Sequence, residues 1–402
     1  MIGGSILYCE IINKDKKYHI PAYARYNLAI GSGKGAKAYD VDGREFIDFT
    51  SGIGVNSLGY SDKGWAKAVA AQAGKLQHVS NLYFSPVTAE LAEVLCEQTD
   101  YAKAFFCNSG AEANECAIKI ARKYSFDKYG PGRNKIITLN NSFHGRTLAT
   151  LTATGQNAMH NWFFPFAEGF DYAAAGDIGE LIKKADNTTC GVILEIIQGE
   201  GGVVPLSGDY LEEVAALCRA KDILLIIDEV QTGVGRTGRF LAAEHYGIQA
   251  DITTLAKGLG GGLPIGACLC KEFLGNVLSA GTHGTTFGGN PVACAGALYV
   301  MQKIGDPEFL DLVETKGSYM REKITYMPGV KSVRGMGLMI GIELENGVSS
   351  DIAKKCIDNG LIVLTAKSLL RLLPPLNISY KDINKGLSLL NAVLSKNTGE
   401  TI

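Results

Sequence analysis

Ile223-Leu-Leu-Ile-Ile227-Asp228-Glu-Val-Gln-Thr232 sets five consecutive apolar residues directly before a carboxylate. An apolar run without alternation suits a strand buried on both faces, as in a parallel sheet covered by helices. Four comparable runs lie on either side of it: Ala104-Phe-Phe-Cys107, Lys135-Ile-Ile-Thr-Leu139, Gly191-Val-Ile-Leu194 and Ala267-Cys-Leu-Cys270. Amphipathic stretches separate them. In one, Ala117, Ile120, Ala121 and Tyr124 share a face, while Glu115 and Lys119 are spaced to pair at i,i+4. The pattern predicts an α/β fold, with a large domain whose mainly parallel sheet is covered by helices.

A chain of 402 residues is long enough for two or more domains. The stretches 336–343 and 361–364 alternate with helical patterns, which predicts a smaller α+β domain. The expected division is 1–60 as an N-terminal segment of the small domain, 61–290 as the large domain, and 291–402 as the C-terminal part of the small domain. Within the first segment, alternating apolar residues around Asp42-Gly43 predict a hairpin over 38–49 with a type I′ turn.

Composition excludes several classes. Lys plus Arg is 39 and Asp plus Glu is 41, a net charge of −2, so no electrostatic case exists for nucleic acid or an anionic membrane. Residues 273–302 carry no charged side chain, but Thr282-His-Gly-Thr-Thr-Phe-Gly-Gly-Asn-Pro291 makes that stretch polar and turn-rich, not a lipid-facing helix. Met1–Glu10 has no basic start and no apolar run, so no signal peptide is expected. Ten cysteines without a CxxC pair predict reduced thiols in a cytoplasmic protein, and six histidines without an HxxxH pair argue against a metal site. Forty-nine glycines are the excess to be explained; they have no period of three, which excludes collagen.

Gly233-Val-Gly235-Arg-Thr-Gly238 fits the GxGxxG dinucleotide pattern, but it does not sit at the strand end. Asp251 lies only 13 residues beyond it, where about 20 are needed. Gly31-Ser-Gly33-Lys-Gly35 leads into a hairpin, not a helix. A better phosphate cradle is Asn108-Ser109-Gly110-Ala111-Glu112, which joins an apolar strand to a helix N-terminus with free amides and a favourable dipole. Ser109 as an ordinary helix cap is the simpler alternative. Two companions favour the cradle. Asp228 ends a buried strand, where a carboxylate needs a cationic partner. Lys257, in Thr253-Thr-Leu-Ala-Lys257-Gly-Leu-Gly-Gly-Gly262, is flanked by small and apolar residues that lower an amine's pKa. A phosphate anchor, a buried acid and an isolated lysine are what pyridoxal phosphate requires.

The chain resembles the class III (ornithine-type) aminotransferases, most closely the acetylornithine branch. The blocks that carry the resemblance are Phe106–Glu115, Ser142-Phe-His-Gly-Arg-Thr147, Gln198-Gly-Glu-Gly-Gly-Val203, Ile227–Gly238, Ala256–Gly262, Gly281–Pro291 and Arg371-Leu-Leu-Pro-Pro375. The resemblance implies a fold-type I, homodimeric, pyridoxal-5'-phosphate-dependent transferase, its small domain built from both termini. It implies that Lys257 holds the cofactor covalently, Asp228 faces the ring nitrogen, Val230 and Phe143 pack on the two ring faces, and Gln231 meets the phenolic oxygen, with Glu229 beside them. Ser109, Gly110 and Ala111 would bind the phosphate, joined by Thr286 of the second subunit. Arg146, with Thr285, would hold the remote carboxylate of the amine substrate. Arg371 would hold the α-carboxylate of glutamate, masked by Glu200 when the other substrate binds, and Tyr23 aligns with a substrate-contacting tyrosine. The implied reaction moves the δ-amino group of N-acetylornithine to 2-oxoglutarate. Succinylornithine, succinyl-diaminopimelate, ornithine, 4-aminobutyrate and a catalytically silent scaffold are the alternatives. Two departures stand out. Ile196 replaces the family's proline, and Gly52 stands where ornithine aminotransferases carry tyrosine, which leaves room for an acylated amine.

Overall fold

The computed structural model describes residues 5–398; the first four residues of the N-terminal stretch read above lie outside it. Its centre is a seven-stranded sheet in the order Lys103–Cys107, Gly266–Cys270, Ile252–Leu255, Leu224–Asp228, Thr189–Leu194, Lys135–Leu139 and Phe170–Ala173. All neighbours are parallel except around Gly266–Cys270, which runs antiparallel to both of its partners. The five apolar runs are all strands of this sheet. Leu224–Asp228 is buried along its whole length, because it is paired on both edges and covered on both faces.

The helix Gly110–Tyr129 shows how one covering element is specified. Ser109 caps its first turn, accepting from the amide of Glu112, and Gly130 ends it with a left-handed φ of +77°. Ala113, Cys116, Ala117, Ile120 and Ala121 form its buried face. Tyr124 lies at the edge of that face, half-buried. The expected Glu115–Lys119 pair does not form. Glu115 accepts from the Thr147 hydroxyl at 2.5 Å and Lys119 meets His283 Nδ1 at 3.2 Å, because tertiary partners are nearer than the next turn.

Both ends of the chain build two further sheets, and Ile197–Gln198 pairs with Val204–Pro205 in a small separate one. Ile30–Lys34, Lys37–Asp40 and Glu45–Asp48 form an antiparallel ribbon whose last strand pairs in parallel with Leu361–Ile362. The hairpin is present, but its turn is not type I′. Gly43 N–H closes on the Asp40 carbonyl, and of the turn residues only Gly43 has a positive φ, +83°. Asp40 Oδ1 accepts from the amides of Asp42 and Arg44, which holds the longer turn. A second sheet, Val330–Met336, Met339–Leu344, Leu369–Leu372 and Leu364–Ala366, is antiparallel and carries Arg371 opposite Gly341. The helix Pro291–Ile304 packs on Lys63–Lys75 and Pro86–Thr99, beside the large sheet. No described helix is long and apolar enough to cross a membrane.

Candidate active site

Parallel sheets bind ligands beyond the carboxyl ends of their strands. There, at the end of Leu224–Asp228, lies a cavity of about 510 Å³. Ser109, Gly110, Ala111, Phe143, Arg146, Asp228, Val230, Gln231 and Lys257 all line it. These residues come from four separate segments, brought together by the sheet order.

Asp228 is 3% exposed, and its carboxylate is fixed by three donors. Oδ2 accepts from Asn114 Nδ2 at 2.7 Å and faces His144 Nδ1 at 2.8 Å, and Oδ1 accepts from the Val230 amide at 3.0 Å. Asn114 is itself held by Thr254 Oγ1 at 2.7 Å and donates to the His144 carbonyl at 2.9 Å. Lys257 follows the strand Ile252–Leu255 with a left-handed φ of +36°. Its ammonium has no hydrogen bond or close ion pair among the described residues. Burial pushes its pKa below the usual lysine value, against the opposing pull of Glu200 and Asp228.

The loop expected to cradle a phosphate has free amides. Helix geometry leaves the first amides of Gly110–Tyr129 without intrahelical acceptors. Ser109 takes those of Glu112 and Ala113, and the amides of Gly110 and Ala111 face no protein acceptor among the described residues. Gly110 is required by packing, since a Cβ there would fall 2.6 Å from Val230 Cγ1. Free amides at a helix N-terminus, a fixed buried carboxylate and an unpaired lysine across one cavity fit pyridoxal phosphate in size and in donor set.

Next to the cavity, Arg371 Nη1 donates to Glu200 Oε1 at 2.5 Å and to Gln231 Oε1 at 3.1 Å. Arg371 is 2% exposed. Burial would raise the Glu200 carboxyl, but the charge and hydrogen bond of Arg371, helped by Lys257, hold it below its usual value. Arg146 stands exposed at the mouth, its guanidinium 5.6 Å from the centre of the Phe143 ring.

Four expected residues lie elsewhere in the chain. Glu229 turns away from the cavity: it accepts from the Ala243 amide at 2.9 Å and from the Thr232 hydroxyl. Thr285 and Thr286 sit on the loop after Gly281, where Thr285 Oγ1 accepts from Asn108 Nδ2 at 3.3 Å and Thr286 is exposed. Tyr23 is 75% exposed and lines a separate groove beside the helix Ile6–Tyr18. Three polar lining residues were given no role from sequence: Asn114, His144 and Glu195. Glu195 is buried and accepts from the amides of Phe143 at 2.9 Å and Gly199 at 3.1 Å, and burial raises its pKa. The signal for Asn114 was available, because it is a polar residue on the apolar face of its helix. The glycines at 233–238 form no cradle: added Cβ atoms would meet Leu255 at Gly233, Ile304 at Gly235 and Glu314 at Gly238.

The family model of class-III aminotransferases matches residues 20–394. The acetylornithine aminotransferase of Haemophilus ducreyi is 49% identical over 389 residues, covering 96% of this chain and 99% of its own. Among solved structures, the ornithine aminotransferase of Toxoplasma gondii superposes with a TM-score of 0.94 at 32% identity, covering 98% of this chain and 96% of its own. The N-acetylornithine aminotransferase of Stenotrophomonas maltophilia gives 0.84 at 34% identity, covering 96% and 99%. With the cavity geometry, these matches show that the chain belongs to the class-III aminotransferases, pyridoxal-phosphate-dependent enzymes that move an amino group between an amine and a 2-oxo acid.

Proposed function

We propose that the chain moves the δ-amino group of N-acetylornithine to 2-oxoglutarate, a step of arginine biosynthesis, as a cytoplasmic homodimer. The observation that carries this reading is the Arg371–Glu200 pair beside the Lys257 cavity. Two substrates alternate in one site, and only one of them presents an α-carboxylate next to the reacting carbon. An arginine that can be masked by a carboxylate meets that need. Relatives named acetylornithine aminotransferase support the choice of amine. So does Gly52, which has a left-handed φ of +65° with Asn56 Nδ2 only 3.3 Å from an added Cβ, so a tyrosine would be strained in this backbone.

Lys257 would hold the cofactor, the amides of Gly110 and Ala111 would take its phosphate, and Asp228 would keep the ring nitrogen protonated. When bound, pyridoxal phosphate supplies an aldehyde that links to amines and a ring that accepts electrons. The chain's own groups do the rest. Lys257 Nζ, with its lowered pKa, takes and returns a proton at the reacting carbon. Asn114 and His144 hold the Asp228 carboxylate in place, and Phe143 covers one wall. Arg146 would grip the remote carboxylate of the amine. Thr286 would act from the second subunit of a dimer, Thr285 would stand near Arg146 at the remote carboxylate, and Tyr23 would contact substrate. The division at residues 60 and 290 belongs to the same proposal.

Rates on N-acetylornithine, succinylornithine, ornithine and 4-aminobutyrate with 2-oxoglutarate fixed test the substrate. N-acetylornithine is expected to give the highest kcat/KM, and a higher value for ornithine would overturn the choice. Lys257→Ala is expected to abolish turnover.

A further inference from the structure

Arg236 belongs to the glycine-rich turn that does not bind a dinucleotide, and it is 2% exposed. Its only side-chain partners among the described residues are carbonyl oxygens. Nη1 donates to Leu338 O at 3.1 Å and to Pro374 O at 2.6 Å, while Nη2 is buried without a partner. A buried cation with no carboxylate is costly, so such a group persists only where its hydrogen bonds hold something in place. Burial pushes this guanidinium down to about 9.

The two carbonyls identify what is held. Leu338 immediately precedes the strand Met339–Leu344, and Pro374 follows the strand Leu369–Leu372. These strands are antiparallel, with Ile340 opposite Leu372 and Gly341 opposite Arg371, so residues 338 and 374 lie at the same end of the pair. The main chain adds a third tie, Leu338 N–H to Arg236 O at 3.0 Å, across a close approach that only a glycine at 337 allows. Arg236 thus fastens the end of the ribbon carrying Arg371 to the turn that begins at Asp228.

We propose that Arg236 is a positioning residue for the 2-oxo acid: it sets where Arg371 stands relative to Glu200 and Gln231, and acts on the oxo-acid half of the reaction through Arg371. The inference rests on the reading of Arg371 as the α-carboxylate site. Both carbonyls are met by one nitrogen, Nη1, at the end of a rigid planar guanidinium; lysine keeps the charge but carries its ammonium on a shorter, flexible stem that is not held at that point.

Cofactor-loaded Arg236→Lys is compared with the parent in steady-state kinetics. KM for 2-oxoglutarate is expected to rise on the order of tenfold, as for loss of a well-aligned guanidinium contact, with KM for N-acetylornithine changed less than about twofold. Equal changes in both constants, or no change in either, would overturn it. So would failure of both Arg236→Lys and Arg236→Met to fold in thermal melts, because the residue would then serve the fold at large. Arg371→Lys separates this inference from the reading beneath it. If that variant leaves KM for 2-oxoglutarate unchanged, the carboxylate site is misassigned. If it raises KM and Arg236→Lys does not, only the positioning role fails.

Discussion

Glu200→Gln removes the carboxylate that pairs with Arg371 while keeping the side chain's shape. In the parent, Glu200 Oε1 accepts from Arg371 Nη1 at 2.5 Å and from Gln231 Nε2 at 3.5 Å. Arg371 is 3% exposed at its side chain and Glu200 28%, so solvent screens the pair little. An incoming α-carboxylate must displace Glu200 before it can bind Arg371. A charge-assisted hydrogen bond contributes about 1.5–3 kcal/mol, and taking the lower half for the solvent-facing edge leaves about 1.5–2 kcal/mol. At about 1.4 kcal/mol per tenfold, that is roughly 10- to 30-fold. The variant is therefore expected to show a KM for 2-oxoglutarate lower by about tenfold or more. Its amine half-reaction should slow, because the α-carboxylate of N-acetylornithine can now occupy Arg371 in an unproductive pose. Single-turnover mixing with each substrate separately, followed by the visible absorbance of the cofactor, measures both. Because Arg371 and Lys257 hold the Glu200 carboxyl below its usual pKa, the difference should persist across neutral pH. A KM for 2-oxoglutarate that stays the same or rises would refute the masking role.

Asp228→Asn keeps the volume but removes the charge held by His144 and Asn114, and kcat should fall on the order of 10²–10³-fold, measured with saturating cofactor. Gly110→Ala would ordinarily favour a helix by up to about 1 kcal/mol, but here the methyl meets Val230 at 2.6 Å, so weaker cofactor binding in a fluorescence titration is expected instead. Glu229 is pushed up to about 7 from 4.5 by burial. The folded state therefore binds this proton more tightly than the unfolded chain, and the associated stability is complete below pH 4.5 and lost as pH rises through about 7. At about 1.4 kcal/mol per pH unit the loss is about 3 kcal/mol, so Glu229→Gln should lose less stability than the parent between pH 5 and pH 8 in denaturant melts. Parallel profiles would show that Glu229 ionises freely in the fold.

Local sequence carried the large sheet because burial on both faces demands unbroken apolar runs, and five such runs became strands. The strand Ile252–Leu255 escaped notice because Thr253 and Thr254 interrupt its apolar pattern. Their hydroxyls are satisfied by Tyr101 and Asn114, partners distant in the chain. The antiparallel course of Gly266–Cys270 was equally illegible, since direction is set by the crossover and not by composition.

Chemistry divides in the same way. Lys257, Asp228 and the amides of Gly110 and Ala111 were recognisable because each breaks a local rule: a lone amine among small residues, an acid closing an apolar run, a helix start without bulk. Neighbours in sequence gave no guide to direction, so Asp228 faces the cavity while Glu229 caps a turn behind it. The roles of His144, Glu195 and Arg236 depend on contacts across 84, 52 and 138 residues, which no window of sequence contains. The residue types required by the cofactor are written locally because they answer to backbone shape and pKa. Which of them meet, and which arginine is masked or merely fastened, follows from packing between segments far apart in the chain.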